Sequence, residues 1–252
     1  MLAVHLRDAR RDRLVLVAAL AALSAVAWLA LVAWAGSPAG RYLHHDEAGL
    51  PPAIGAALFT AGWVLMILAM MLPSSIPLVV VFAGLVRRRP APRSLVGLLL
   101  AGYLLAWAAV GLAAWLLDRG IHAAVDAVPW LGAHPQVILA ATLAVAGLWQ
   151  LTPLRDRCLD ACRTPLGFVV ARWRGVSPRR EALAMGIAHG WFCVGCCWSL
   201  MLVMFGVGLG SLAAMLALGI VTAVEKNAPW GRRLSRPLAV ALVLVAVYVL
   251  AA

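Results

Sequence analysis

Charged side chains are scarce in this sequence: 12% of the 252 residues are Asp, Glu, Lys or Arg, whereas 64% are hydrophobic. None lies inside a long apolar run, and the nearest, Glu181 and Glu225, are predicted at the ends of such runs. Proton-coupled transporters usually need a charged group within the membrane, so that class is disfavoured. The sequence also has no phosphate-binding glycine-rich loop and no Ser-His-Asp set inside an apolar run. These absences argue against direct ATP coupling and against a hydrolase.

The apolar runs have the length of membrane-spanning helices, which need about 20 residues each. They predict an all-α fold, a polytopic transmembrane helix bundle of about seven spans that forms a single integral membrane domain over residues 1–252. The lipid bilayer is therefore its first expected partner. The predicted spans are 14–35, 54–86, 94–117, 136–152, 182–205, 210–224 and 237–252.

Basic residues alternate between the compartments that these spans separate. Nineteen of the 21 Lys and Arg residues fall on one side, which includes the N-terminus and the loop 153–180. By the positive-inside rule that side is the cytoplasm, and the C-terminus is predicted outside. The net charge of +11 thus reflects topology, and nucleic acid is not expected as a partner. The first span is longer than the apolar core of a cleaved signal peptide and is interpreted as a retained signal anchor.

The second span is too long for a straight transmembrane helix, because residues 54–86 would extend about 50 Å. Pro73 and Pro77 predict a bend or break within it, since each lacks a backbone N–H and frees a carbonyl one turn earlier. Met66, Met70 and Met71 precede this break, and the first two lie one turn apart. Methionine often fills irregular gaps in packing, but its thioether is also a ligand for soft metal ions.

A second concentration of soft ligands lies within residues 185–204. At about 100° per residue, these side chains fall within about 160° of one helix face, opposite the tryptophans of the segment. The face would extend about 29 Å, close to the thickness of a bilayer's hydrocarbon core. Its members are Met185, His189, Cys193, Cys196, Cys197, Met201 and Met204.

This face predicts a site for a soft transition metal. His189, Cys193 and Cys197 occupy successive turns and are expected to share one ion, with Cys196 at the edge of the face. Sulfur and imidazole ligands select Cu(I), Zn or Fe, and the nearby methionine thioethers favour Cu(I). Haem with two His ligands fits badly, because His189 is the only histidine in a predicted span. The alternative is that these cysteines are small buried hydrophobic residues.

A further cysteine pair, Cys158 and Cys162, lies in the predicted cytoplasmic loop. Its four-residue spacing puts both thiols on one side of a helix, where they could take or hand over a soft ion. Arginines beside the pair favour the thiolate form, although their main expected role is anchoring at the membrane surface. A disulfide set is not expected, because one cysteine group is predicted at the cytoplasmic face and the other inside the membrane. The two groups are also predicted about a helix length apart, which argues against a four-thiolate iron–sulfur cluster.

Histidines are also present in the predicted outer loops. Together with neighbouring carboxylates they could collect Cu(II) or Zn(II), but solvated loop residues are the simpler interpretation. These residues are His44 and His45 beside Asp46 and Glu47, and His122 and His134.

Several strings resemble a bacterial family of unknown function, numbered 2182, whose members are described as predicted metal-binding integral membrane proteins. The likeness runs from about residue 60 to 235 and departs at Trp149, where Tyr is expected, and at Arg155, where Lys is usual. The resemblance implies metal binding and a multi-pass location in the bacterial inner membrane, and it names neither the metal nor a reaction. The strings are Ala69-Met-Met-Leu-Pro73, Trp149-Gln-Leu-Thr-Pro-Leu, Cys158-Leu-Asp-Ala-Cys162-Arg163, His189-Gly190, Cys193-Val-Gly-Cys-Cys-Trp-Ser-Leu-Met201 and Glu225-Lys226.

Two functions follow from these patterns. The favoured one is a membrane protein that binds Cu(I), or another soft ion, and passes it across or delivers it to a metallochaperone or metalloenzyme partner. The alternative is an intramembrane thiol-disulfide oxidoreductase that uses Cys193 and Cys196 as its CxxC pair. Redox CxxC pairs normally lie at a helix N-terminus, which lowers the thiol pKa, whereas this pair is predicted in mid-helix. A binding and transfer role, rather than catalysis, is therefore expected.

Overall fold

The structure, a computed structural model, describes residues 2–37, 51–207 and 211–251, and within these ranges all regular structure is helical. The predicted all-α fold is therefore confirmed. A 3-10 turn, Gly231–Leu234, joins the last two α-helices. The α-helices are α1 (Leu2–Ala35), α2 (Pro52–Met70), α3 (Leu72–Val86), α4 (Pro92–Ala127), α5 (Pro129–Ala133), α6 (Pro135–Trp149), α7 (Pro153–Arg163), α8 (Pro165–Arg172), α9 (Pro178–Val207), α10 (Leu212–Asn227) and α11 (Ser235–Ala251).

Proline sets the starts of most of these helices. Its fixed φ suits the first helical turn, where its missing N–H would have no partner in any case. The first residue is proline in α2, α4, α5, α6, α7, α8 and α9. The prolines thus divide a very apolar chain into separate helices with short connections.

Five of the described helical segments are long and apolar enough to cross a membrane, and a sixth span results if α6 and α7 are counted as one bent span. This agrees with a polytopic bundle of roughly the predicted size. The five segments are Arg10–Ala35, Pro52–Met70, Pro92–Ala127, Pro178–Met204 and Gly231–Ala251.

The predicted break in the second span occurs at Met71, between α2 and α3. Pro73 cannot donate a hydrogen bond to the carbonyl of Ala69, one turn earlier. That carbonyl instead accepts hydrogen bonds from Ser24 Oγ at 2.8 Å and Trp28 Nε1 at 3.1 Å, both on α1. Helix α1 therefore satisfies the backbone group that the proline releases.

Helices α4 and α9 pack closely along much of their length. Glycines permit this approach, because a Cβ at Gly102 would meet the carbonyl oxygen of Leu183 and one at Gly186 would meet that of Leu99. At Gly190, an added Cβ would lie 2.6 Å from the Cβ of Ala106. Tyr103, between two of these contacts on α4, is thereby brought against α9 beside its cysteines.

Helix α7 is bent by 66° from the direction of α6 and packs against α9. Its start is capped by Thr152, whose Oγ1 accepts a hydrogen bond from the backbone N–H of Arg155. Trp149, at the end of α6, donates from Nε1 to the Gly195 carbonyl on α9 at 3.0 Å. This bend carries the cysteines of α7 to the middle of α9.

Candidate metal centre

The three cysteines of α9 lie at the centre of the bundle. Cys193, Cys196 and Cys197 are all buried, and the thiols of Cys196 and Cys197 donate to the Cys193 carbonyl at 3.1 and 2.8 Å. They share one buried cluster with six methionine thioethers from α2, its junction with α3, α9 and α10. These methionines are Met66, Met70, Met71, Met201, Met204 and Met215, and together with the cysteines we call them the sulfur cluster. Met185 lies in a different cluster.

The cysteines of α7 lie next to this cluster, not a helix length away as the sequence predicted. Cys162 Sγ is 3.9 Å from Cys196 Sγ, and Cys158 packs over Gly195, where an added Cβ would lie 2.5 Å from Cys158 Sγ. The prediction of two separate groups was wrong because the bend before Thr152 folds α7 back along α9. All five cysteines of the protein therefore belong to one region, and all are free thiols.

Met71 contributes a thioether from the break between α2 and α3. Its Sδ lies 3.8 Å from Cys197 Sγ and 3.8 Å from Lys226 Nζ. Met71 lies at the break that Pro73 causes between α2 and α3, and its side chain reaches the cysteines from there. The proline break thus brings a soft ligand to the thiols of α9.

Lys226 is a buried cation beside these sulfurs. Its Nζ donates to Cys193 Sγ at 3.0 Å and to Ser74 Oγ at 3.4 Å, and only 5% of the residue is exposed. The sequence places Lys226 just after an apolar run, and the fold buries its ammonium inside the bundle. The reason is that α10 is only 16 residues long, so its last turn ends beside Cys193.

Tyr103 contacts both Cys193 and His189. Its hydroxyl lies 3.3 Å from Cys193 Sγ, and its ring stacks on the imidazole of His189 with centroids 5.7 Å apart. The ring of Phe168 packs edge-on against the other part of the imidazole at 5.4 Å. His189 Nδ1 is buried and has no hydrogen-bond partner among the described residues. The histidine thus lies beside the sulfur cluster, in an aromatic environment.

The sulfur contacts are pairwise. Within residues 2–37, 51–207 and 211–251 there is no set of three or more His, Cys, Asp or Glu side chains arranged to hold a metal ion. A shared ion on His189, Cys193 and Cys197 accordingly stays a prediction. Binding would require the thiols to give up their hydrogen bonds to the Cys193 carbonyl and to rotate toward a common ion.

A buried ion pair fixes α7 against α10. Arg155 is fully buried, and its Nη2 lies 2.6 Å from Glu225 Oε1. Ser235, at the start of α11, accepts a hydrogen bond from Arg155 Nη1 and donates to Glu225 Oε1 at 3.3 Å. Arg163 donates to the backbone carbonyls of Glu225 and Ala228. Since Glu225 precedes Lys226, these contacts link the cysteine helix α7 to the buried ammonium.

The outer histidines show only local contacts where they are described. His122 Nδ1 bonds the carbonyl of Asp118 at 2.9 Å, and His134 Nδ1 bonds that of Trp130 at 2.8 Å. His44 and His45 lie outside the described residues. An outer collecting site therefore stays a prediction.

The family of the chain follows from comparison with known proteins. A family model described as "PpoB2: Copper chaperone" matches residues 60–249, which include every cysteine and every methionine of the sulfur cluster. The chain belongs to the PpoB2 copper chaperone family. This membership supports the copper-related part of the sequence prediction, and the metal binding implied by the earlier resemblance agrees with it. Comparisons with curated proteins and with solved structures found no significant match.

The structure brings three residues into the site that the sequence prediction did not include among the ligands. Met71 was recognised only as a neighbour of the helix break, and Tyr103 was not considered. Lys226 carries a signal that was overlooked, because it is the only lysine among the 21 basic residues of the chain. A single lysine in a sequence that otherwise uses arginine indicates a position with its own chemical requirement.

Proposed function

We propose that this protein is a membrane copper chaperone that holds Cu(I) on cysteine thiolates and methionine thioethers and delivers it to a partner protein. The observation that carries the proposal is the convergence of sulfur from four helical segments, with 3.9 Å between the thiols of Cys162 and Cys196 and 3.8 Å between Cys197 Sγ and Met71 Sδ. Membership of the copper chaperone family supports the identity of the metal.

Cu(I) suits this donor set better than Zn or Fe. It accepts two or three sulfur ligands, including thioethers, whereas structural Zn usually takes four ligands in a tetrahedral arrangement. Apart from Cys193, whose sulfur already has the Lys226 ammonium beside it, thiols buried in this apolar interior should remain neutral until a cation binds, because an unpaired charge there is costly. Binding should therefore release protons, and the ion should bind most tightly under reducing conditions.

The arrangement also supports a route for transfer. Met201 and Met204 follow the cysteines along α9, and the partly exposed Cys158 on α7 packs beside Gly195. If α7 faces the cytoplasm of a bacterial cell, as the distribution of arginine predicts, Cys158 and Cys162 are the thiols nearest to a soluble partner. A metallochaperone or metalloenzyme would then exchange Cu(I) with this pair.

Metal analysis of the protein purified in detergent under reducing conditions tests the proposal. One equivalent or more of copper should be bound, and X-ray absorption should show copper–sulfur distances of about 2.2–2.3 Å. Cys193→Ser and Cys197→Ser should each lose most of the bound copper while retaining the fold. A parent protein that binds no copper, or a first shell of only oxygen and nitrogen, would refute the proposal.

A thiol-disulfide exchange enzyme is the second candidate. The short distance between Cys162 and Cys196 makes these two a better redox pair than the predicted Cys193 and Cys196. A disulfide needs sulfurs about 2.05 Å apart, so a modest movement of α7 would join the 3.9 Å pair. Oxidation of these two thiols would be balanced by reduction of a partner disulfide to two thiols. This candidate predicts that His189→Ala is without effect and that no stoichiometric copper is bound.

A further inference from the structure

Three groups surround the Lys226 ammonium, and two of them are copper ligands in the proposed function. The Nζ atom lies 3.0 Å from Cys193 Sγ, 3.8 Å from Met71 Sδ and 3.4 Å from Ser74 Oγ. A Cu(I) ion bonded to both sulfurs would lie about 2.3 Å from each and hence between them. In this structure the ammonium is the cation that contacts both of these sulfurs.

We propose that Lys226 is a resident competitor for the cargo ion: its ammonium occupies the cation position between Cys193 and Met71, Cu(I) must displace it to bind, and its return helps to release the ion. The inference rests on the proposed function, since it concerns the same site. It adds a residue that sets how tightly the chaperone holds copper, in addition to the residues that bind it.

Charge makes the two cations mutually exclusive. Lys226 and Cu(I) each carry one positive charge, and both would contact the same Cys193 sulfur inside an apolar bundle. Two like charges at van der Waals distance repel strongly where water cannot screen them. When Cu(I) leaves, the ammonium can take its place beside the sulfur, and the net charge there stays the same because both cations carry a single positive charge.

Lysine is suited to this exchange and arginine is not. Its ammonium is a compact point charge on a flexible four-carbon stem, whereas guanidinium is a rigid planar fork. Lys226 also lies in the last turn of α10, which ends at Asn227. The carbonyl end of a helix attracts cations, so an ammonium displaced by copper can move toward the end of its own helix.

This arrangement fits a protein that must pass its cargo on. A site with five thiols and several thioethers would hold Cu(I) tightly, and a very tight complex releases its ion slowly. A built-in competitor lowers the affinity without removing a ligand. It also keeps a cation beside Cys193 whenever copper has left, so that the buried sulfur always has a partner.

Competition titration with a chromophoric Cu(I) chelator tests the inference on the full chain in detergent. Lys226→Gln and Lys226→Leu should bind Cu(I) about 10-fold more tightly or better, because a charged hydrogen bond no longer has to be broken. Lys226→Arg keeps the charge and should bind no more tightly than the parent. Neutral variants that bind equally or more weakly would overturn the inference. A parent that binds no Cu(I) would refute the proposed function itself, so the two failures are distinguishable.

A second measurement requires no substitution. Because the chain has one lysine, protein labelled with ¹⁵N at lysine Nζ gives a single side-chain ammonium signal. Addition of one equivalent of Cu(I), which is diamagnetic, should shift that signal as Nζ leaves Cys193, and removal of copper by the chelator should restore it. A signal that does not move at full loading would show that the ammonium keeps its position, and the inference would be wrong.

Discussion

Cys162 on α7 and Cys196 on α9 are 34 residues apart in the chain, and their sulfurs are 3.9 Å apart in the fold. The contact depends on the 66° bend between α6 and α7. An ion or a covalent bond between these two thiols would therefore join the bent pair to the central helix of the bundle.

A protein that retains only Cys162 and Cys196 should form an intramolecular cross-link with a short bifunctional thiol reagent. The 3.9 Å separation needs no rearrangement of either helix. Mass spectrometry of peptides from the treated protein provides the measurement. A variant that retains only Cys158 and Cys197 serves as the control and should cross-link far less. Equal cross-linking of the two pairs would contradict the position described for α7.

Met71→Leu should weaken Cu(I) binding with little change in stability. Leucine and methionine are nearly isosteric, so the substitution should cost less than about 1.5 kcal/mol, but it removes the thioether 3.8 Å from Cys197 Sγ. Met185→Leu is the matched control, because Met185 is equally buried in another cluster. Chelator competition on both variants gives the comparison. If Met71→Leu binds copper as the control does, Met71 serves packing alone.

Gly186→Ala should destabilise the bundle by about 2 kcal/mol or more, because its Cβ would meet the backbone of Leu99 on α4 and the helices would have to separate. Gly97→Ala, also in a helix, meets nothing within 4 Å and should be neutral or slightly stabilising. Thermal unfolding in detergent measures both. A Gly186→Ala protein with the melting temperature of the parent would contradict the close packing of α4 and α9.

Arg155→Met should destabilise the protein by about 3–5 kcal/mol, because it leaves the Glu225 carboxylate buried without its partner. The double variant Arg155→Met/Glu225→Leu replaces the pair by apolar groups and should recover much of that loss. Chemical unfolding of the parent and of both variants provides the free energies. A double variant no more stable than the single one would show that the pair has a role beyond mutual neutralisation.

Residue 170 should be inaccessible to an impermeant thiol reagent in intact cells. The distribution of basic residues predicts that residues 153–180 are cytoplasmic, and Val170 on α8 is 65% exposed, so a cysteine there can react once the membrane is opened. Asp46→Cys, in the segment predicted outside, is the control and should label without permeabilisation. Labelling of position 170 in intact cells would reverse the orientation.

Much of the fold is predictable from the sequence because apolar runs and prolines act locally. The helical class follows from run length, and the break at Met71 follows from Pro73 two residues later. The position of α7 is not local. Its arginines predict an exposed loop, and the burial of Arg155 is explained only by Glu225, which is 70 residues away in the chain.

The site was predictable in composition but not in arrangement. Helical periodicity places Cys193 and Cys197 on one face, and the structure buries both beside further sulfur. The same periodicity cannot place Cys162 or Lys226, because each reaches the cysteines from another helix. Charge patterns assign Lys226 to the end of a span. Its side chain is buried because α10 is short and because its ammonium contacts sulfur atoms of the interior.

The hydrogen bonds that Ser24 and Trp28 donate to the Ala69 carbonyl affect how the chain enters the membrane. Until α1 is in place, that carbonyl has no donor, and lipid offers none. Helix α1, which is synthesised before α2, therefore provides the docking partner for α2, and insertion of the two should be coupled. Replacing both donors should slow membrane integration or allow α2 to slip out, even though neither residue lies near a cysteine.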